Sequence, residues 1–464
     1  MIFTSLQFLS FFIILIALFA VIRGKNSRRY LLLIASYIFY GAWSPHYLIL
    51  ISACSVWGWW LGLLMNNSNS DGKRKFYLLL SLMLSLGMLA YYKYANFFAA
   101  NISAALGLEW HQVDILLPVG ISFFTFQTMS YTIDLYRGNI HVCRDLGKFM
   151  LFVAFFPQLV AGPIVRASEF LPQLEKRIRL SPRNSIIGLQ LFLGGALQKI
   201  LVADNLSTFV DSVFNEPTMF SAGTLWLALL AYTIQIFCDF SGYSLMAIGV
   251  AKILGFELPV NFRMPYISRS ITEFWRRWHI SLSFWLRDYL YISLGGNRKG
   301  VTRTNINLML TMLLGGLWHG SSWNFVLWGG LHGMGLVGHK YWIKWQHPLR
   351  DDKVYSLFAW AATFLFVMLL WIPFRAKDFS TTIAYLGGLT ALHGGVNWPH
   401  SMSIMVLSGI LVWHLLYVTR NEWLNSFPSA FPVKAIEIYP ILISLMLILL
   451  FAPLNTSPFI YFQF

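Results

Sequence analysis

Charge is what this sequence has least of. Only 11% of its 464 residues are Asp, Glu, Lys or Arg, where soluble domains carry roughly a quarter. Acidic residues are the scarcer kind, 19 against 34 basic ones, and the resulting formal charge of +15 is spread through short loops between apolar stretches. That distribution reports membrane orientation, not a nucleic-acid surface. Cysteine is nearly absent as well. Cys54, Cys143 and Cys238 stand alone, without the paired spacing that marks a metal site or a disulfide framework. No Walker-type glycine loop, GxSxG elbow or HExxH occurs, so kinase-like, serine-hydrolase and zinc-protease readings have no support.

What fills the chain is apolar surface, 57% of residues, with 17% aromatic. Apolar segments recur from end to end, so the expectation is an all-α polytopic membrane protein, 1–464 as a single integral membrane domain. The criterion of ~20 apolar residues per crossing gives about eleven spans. Ser5–Ile22 has no small-residue cleavage site and reads as a retained span. The basic cluster Arg23, Lys25, Arg28 and Arg29 that follows places the N-terminus outside.

Tyr30–Met65 should leave and return around Trp43-Ser44-Pro45. Phe76–Phe98 then crosses outward to a polar loop over Asn101–Asp114. Pro118–Gly138, rich in Ser, Thr and Gln, suits a helix buried among helices. Phe149–Val165, with Pro157, Gly162 and Pro163, reads as a broken or re-entrant segment, whose backbone needs protein or a water-filled cavity to satisfy it. Glu169–Arg183 reads as a cytoplasmic loop and Gly255–Tyr266 as a loop punctuated by two prolines. Further helices are expected over Ile186–Phe214, Leu225–Leu254, Ser356–Phe374, Ile404–Val418 and Ile436–Ala452, before a charge-free tail, NTSPFIYFQF.

The plausible chemistry gathers in Ile271–Gly333. Its first half mixes Glu273, Arg276, Arg277, His279, Arg287 and Asp288 with tryptophans and tyrosines, as at a membrane interface. Its second half carries no formal charge from Asn305 onward, yet holds His319 and His332. An ionisable group at membrane depth is a functional candidate by default; a neutral imidazole bonding a backbone carbonyl is the plainer alternative. Imidazole titrates near neutrality and suits acid-base work. Gly315, Gly316 and Gly320 around Trp318-His319 allow either close approach of a substrate or close packing of helices. Asp239, in QIFCDFSGYS, is a second ionisable group at depth, or a cap at a helix break. The basic group Arg276, Arg277, Arg287, Arg298, Lys299 and Arg303 fits phosphate or lipid headgroups.

PVGISFFTFQTMSYTIDLYRG, FFPQLVAGPIVR, QIFCDFSGYSLMAIGVAKILGF, SITEFWRRWHISLSFWLRDYLYISLGGNRKG and MLLGGLWHGSSWNFVLWGGLHG together resemble the membrane-bound O-acyltransferase family, most nearly its bacterial alginate O-acetylation branch. The resemblance spans most of the chain. It implies many helices with re-entrant and interfacial pieces around a central funnel or tunnel, and transfer of an acetyl group from cytoplasmic acetyl-CoA toward an acceptor polysaccharide outside. The family's essential histidine falls on His319 and its second functional histidine on His279; donor contacts are expected at Trp275, Arg276, Arg277, Trp318 and Trp323. The resemblance further implies the bacterial inner membrane, surrounding membrane lipids, no metal or prosthetic group, no nucleic acid, and a periplasmic or membrane-anchored serine esterase-type acetyltransferase as partner. Leu245 departs from the branch, which usually has an aspartate there. A polysaccharide or lipid-linked transporter, D-alanyl transfer to teichoic acid, and a haem protein ligated through His279, His319, His332 and His339 are the competing readings.

Overall fold

The computed structural model describes residues 1–345, 352–390, 394–424, 439–452 and 459, with the backbone alone for 413–424 and 439–440. Helices dominate. Apart from an isolated bridge between Phe220 and Val396, no β-structure occurs among the described residues. Five helices there are long and apolar enough to cross a membrane: Tyr47–Asn66, Asp71–Ala105, Pro182–Asn215, Ala222–Ile253 and Lys353–Arg375. Leu6–Val21, Ser401–Val412 and Ile441–Phe451 are shorter apolar helices. The chain divides into two compact units, Met1–Phe192 with Met246–Val260, and Leu193–Leu245 with Asn261–Phe464.

In the first unit the polar-studded segment is the helix Ile121–Tyr136, and fourteen of its sixteen residues are buried, as its composition predicts. Gly120 starts it with φ +76° and lies so close to Leu159 that a Cβ would sit 2.4 Å from that carbonyl oxygen. Only glycine meets both demands. The expected break falls between Leu146–Ala154 and Phe156–Leu159. Protein side chains meet the backbone groups it frees: Gln158 Nε2 donates to the Phe152 carbonyl at 2.6 Å, and the Phe156 N–H donates to Ser36 Oγ at 3.2 Å. The chain also turns at Trp43-Ser44-Pro45, between the helices Lys25–Gly41 and Tyr47–Asn66.

Three readings change. Asn101–Ala105 belongs to the long helix Asp71–Ala105, because its alanines continue the helix past the point where polarity rises. Part of the expected loop Glu169–Arg183 is the helix Ala167–Glu175. Phe379–Thr390 is a helix where none is expected; it is too short to read as a span. Of Ile436–Ala452, the helix takes Tyr439–Phe451. Residues 436–438, and the tail apart from Phe459, lie outside the described residues.

The helix Ala222–Ile253, which belongs to the second unit as far as Leu245, runs unbroken through Gly242, so Asp239 caps nothing. Instead Lys199 Nζ lies 2.6 Å from Asp239 Oδ1 and 2.8 Å from Asp204 Oδ1, with all three side chains almost fully buried. Two features bring them together. The Lys199 segment winds as a π-helix over Leu197–Ala203, a wider turn that shifts the register of its side chains. Across from it, a Cβ on Gly242 would lie 2.6 Å from the Gly195 carbonyl oxygen, so the bare glycine sets how near the two backbones come.

Candidate active site

The site grows from a second crossing of this kind. Gly300–His319 and Trp323–Trp345 pack against each other where Gly316 faces Gly329. A Cβ on Gly316 would lie 2.2 Å from the Phe325 carbonyl oxygen, and one on Gly329 would lie 2.2 Å from that of Met312. The glycines of GGLWHG and LWGG are therefore a packing device, and they fix the end of the first helix. His319 is the last residue of that helix, and only 3% of it is exposed. Trp318, Trp328 and Phe374 present ring edges or faces to it at centroid distances of 5.0, 5.1 and 5.3 Å. Protein, not lipid, encloses the imidazole.

His279 approaches the same place from a different element. It joins the short helices Ile271–Arg277 and Ile280–Trp285, and its ring centroid is 6.4 Å from that of His319. Its backbone is left-handed, φ 42° and ψ 55°, a conformation costing about 1–3 kcal/mol outside glycine that tends to persist at functional sites. The surrounding chain holds it there. The Ile280 N–H donates to the Asn261 carbonyl at 2.9 Å, and the Ser281 N–H donates to Asn261 Oδ1 at 3.2 Å.

That second bond determines the tautomer. A backbone N–H can only donate, so the Asn261 atom it meets is the amide oxygen. His279 Nδ1 lies 3.2 Å from that same oxygen and must carry the hydrogen between them. The lone pair of the neutral ring therefore sits on Nε2. Asn261 is fixed in turn by its Nδ2, which donates to Ser244 Oγ at 3.2 Å, and by the Ser281 hydroxyl at 2.9 Å.

His332 is different. It is fully buried, neither ring nitrogen has a hydrogen-bond partner among the described residues, and the rings of Phe274, Trp275, Trp328 and Phe366 surround it at 4.6–6.1 Å. Edge contacts to π faces suit its polar edges, and packing is its role. His339 Nδ1 lies 2.8 Å from Thr272 Oγ1. The four histidines do not form one ligand set. Among the described residues no group of three or more His, Cys, Asp or Glu is placed to hold a metal ion.

The profile of the membrane-bound O-acyltransferase family matches residues 144–375, which include both histidines. A Pseudomonas putida protein named "Probable alginate O-acetylase AlgI" is 39% identical over 496 aligned positions covering 100% of both chains. A "Peptidoglycan O-acetyltransferase" of Helicobacter pylori is 36% identical over 78% of this chain and 74% of its own. A "Teichoic acid D-alanyltransferase" of Streptococcus thermophilus is 33% identical over 51% of this chain and 60% of its own.

The chain belongs to the membrane-bound O-acyltransferase family.

It is accordingly a multi-pass membrane O-acyltransferase. Of the residues the sequence singles out in this acyltransferase, His319, His279 and Trp318 come together; the Trp318 ring is 6.0 Å from that of His279. Trp275 reaches the cluster through Trp328, 5.7 Å away. Arg276 is exposed. Arg277 is tied down, bonding Glu273 Oε1 at 2.9 Å and the Arg263 carbonyl at 3.1 Å. Trp323 is 60% exposed at the start of its helix. Asn261, Trp328 and Phe374 are additions that sequence reasoning misses. Asn261 sits in a proline-punctuated loop and reads there only as a turn residue. Leu245 is half-buried next to Ser244.

Proposed function

We propose that this acyltransferase moves an acetyl group from cytoplasmic acetyl-CoA across the bacterial inner membrane, for O-acetylation of an exopolysaccharide or cell-wall polysaccharide. The juxtaposition of His279 and His319 within one aromatic enclosure carries the reading. Tryptophan and phenylalanine walls exclude water from a thioester, and an imidazole, which can both accept and donate, is suited to move the one proton the reaction needs.

In the step proposed, His319 takes the proton of an acceptor hydroxyl as its oxygen bonds the acetyl carbon. The carbon–sulfur bond then breaks, and the proton passes to the departing CoA thiolate. In a second route a His319 nitrogen bonds the acetyl carbon as the carbon–sulfur bond breaks, and the acceptor oxygen then bonds that carbon as the carbon–nitrogen bond breaks, its proton passing to the CoA thiolate. His279, its Nε2 lone pair fixed by Asn261, orients or assists. The exposed Arg276, with Arg277 beside it, would meet CoA phosphates by charge-assisted hydrogen bonds, and Trp275, Trp318 and Trp323 would be the aromatic contacts of the donor path. The acceptor lies on the outer side. A periplasmic or membrane-anchored serine esterase-type acetyltransferase would complete delivery to the polymer, and the N-terminus is outside in this orientation. Relatives named for O-acetylation align over more of the chain than the D-alanyltransferase does, which favours acetyl as the group moved.

His319→Ala tests this directly. Membrane abundance is expected to stay normal, while CoA release from acetyl-CoA and polymer O-acetylation fall by about 10²–10⁴-fold, the usual contribution of a placed base. Undiminished O-acetylation in that variant overturns the assignment. A wild-type protein that supports O-acetylation without releasing CoA points instead to a transporter.

A further inference from the structure

A second place in the molecule is built for a ligand, apart from the histidines. The helix Lys353–Arg375 forms a ridge between two apolar grooves. Leu357, Trp360 and Phe364, on one face, line a cavity of about 880 Å³. Phe358, Ala362 and Phe366, at helical spacing on another face, line one of about 310 Å³. Both grooves end at Arg269. Lys353, the first residue of the ridge helix, stands at the same end of the larger groove. Several of the lining side chains are far more exposed than core residues, Leu357 at 64% and Phe358 at 66%, so the grooves open to the surroundings of the protein.

Among the described residues, the polar groups at that end are engaged as follows. Arg269 Nη1 donates to Ser356 Oγ at 3.1 Å. Of the carboxylates described there, Glu273 pairs with Arg277 and accepts the Arg269 backbone N–H at 2.9 Å, and Asp352 caps the ridge helix by accepting from the Val354 N–H at 2.9 Å. Neither Arg269 nor Lys353 has an ion-pair partner among the described residues. Tyr355 and Trp342, whose indole donates to the Tyr355 hydroxyl at 3.1 Å, belong to the smaller groove at the same level. Such rings favour the membrane–water boundary.

We propose that this ridge seats one diacyl anionic phospholipid, its phosphate between Arg269 and Lys353 and one acyl chain in each groove. Two apolar channels meeting at one pair of cations match a molecule with two tails and a single negative head. A neutral lipid brings no anion to the two cations, and a zwitterionic one brings its own ammonium beside its phosphate, against them. The inference is independent of the acyl-transfer reading, because none of its residues takes part in that chemistry.

Native mass spectrometry of the full-length protein in mild detergent tests it with phosphatidylglycerol and phosphatidylethanolamine of the same chain length. Retention of phosphatidylglycerol is expected to exceed that of phosphatidylethanolamine by about tenfold or more, because the two basic residues favour an anionic headgroup. Arg269→Gln with Lys353→Gln should remove that preference. Ala362→Phe, which narrows only the smaller groove, should lower retention of diacyl phosphatidylglycerol and leave lysophosphatidylglycerol bound. Equal retention of the two diacyl lipids by the wild type overturns the proposal, as does a preference that survives the double substitution. So does loss of the single-chain lipid in Ala362→Phe.

Discussion

A histidine at the end of an apolar helix is conspicuous in a sequence; what makes it usable is not. His319 and His279 can be picked out because imidazoles among uncharged or interfacial residues are rare. Asn261 cannot, since one amide in a loop of prolines has no pattern to betray it, and it meets His279 only through the fold. Yet that amide decides which nitrogen of His279 holds the lone pair. Replacing Asn261 with Leu frees the tautomer and also leaves the Ser281 N–H without its acceptor. We expect acyl transfer to drop about 10- to 100-fold, by analogy with partners that orient metal-ligating imidazoles, with KM for the donor nearly unchanged. Asn261→Asp keeps an oxygen acceptor for both groups and should recover part of kcat. Equal rates for wild type and Asn261→Leu would remove Asn261 from the mechanism.

Helices are the most legible feature of this chain, since long apolar runs bounded by basic loops leave little choice. Their crossings are less so. The glycines beside His319 read equally as room for substrate or room for a neighbouring helix, and the structure assigns Gly316 to the second. Gly316→Val therefore pushes against a carbonyl oxygen that cannot swing aside. Overpacking of this kind costs about 1–3 kcal/mol and displaces the helix that ends in His319. The expected result is a lower melting temperature in detergent together with a large fall in kcat, while Gly338→Ala, which would meet nothing within 4 Å, changes neither. The π-turns and the helix Phe379–Thr390 escape sequence reading for a related reason. A one-residue change in winding leaves composition untouched, and a twelve-residue helix made of mixed apolar and small residues lacks the length of a span.

Taken as a whole, the chain is an apolar body in which the Lys199–Asp204–Asp239 triad is an ion-pair cluster buried almost completely. Only Asp239 draws attention in the sequence. Lys199 and Asp204 lie about 40 residues upstream, and their approach depends on a π-turn and on Gly242. Breaking a buried ion pair by removing one partner costs about 3–5 kcal/mol, whereas exchanging every member for apolar residues is often neutral. Lys199→Met alone should thus lower folded yield and melting temperature sharply. Combining it with Asp204→Leu and Asp239→Leu should restore much of the loss. Restored stability without restored activity would show that the triad does more than hold the helices.

The left-handed backbone at position 279 bears on how that residue is best probed. Histidine and asparagine tolerate this region of conformational space better than alanine does. Swapping in alanine would remove the ring and distort the turn in one stroke, so a dead enzyme would say nothing about which loss mattered. Asparagine is the cleaner probe, because it deletes the imidazole while letting the polypeptide keep its bend.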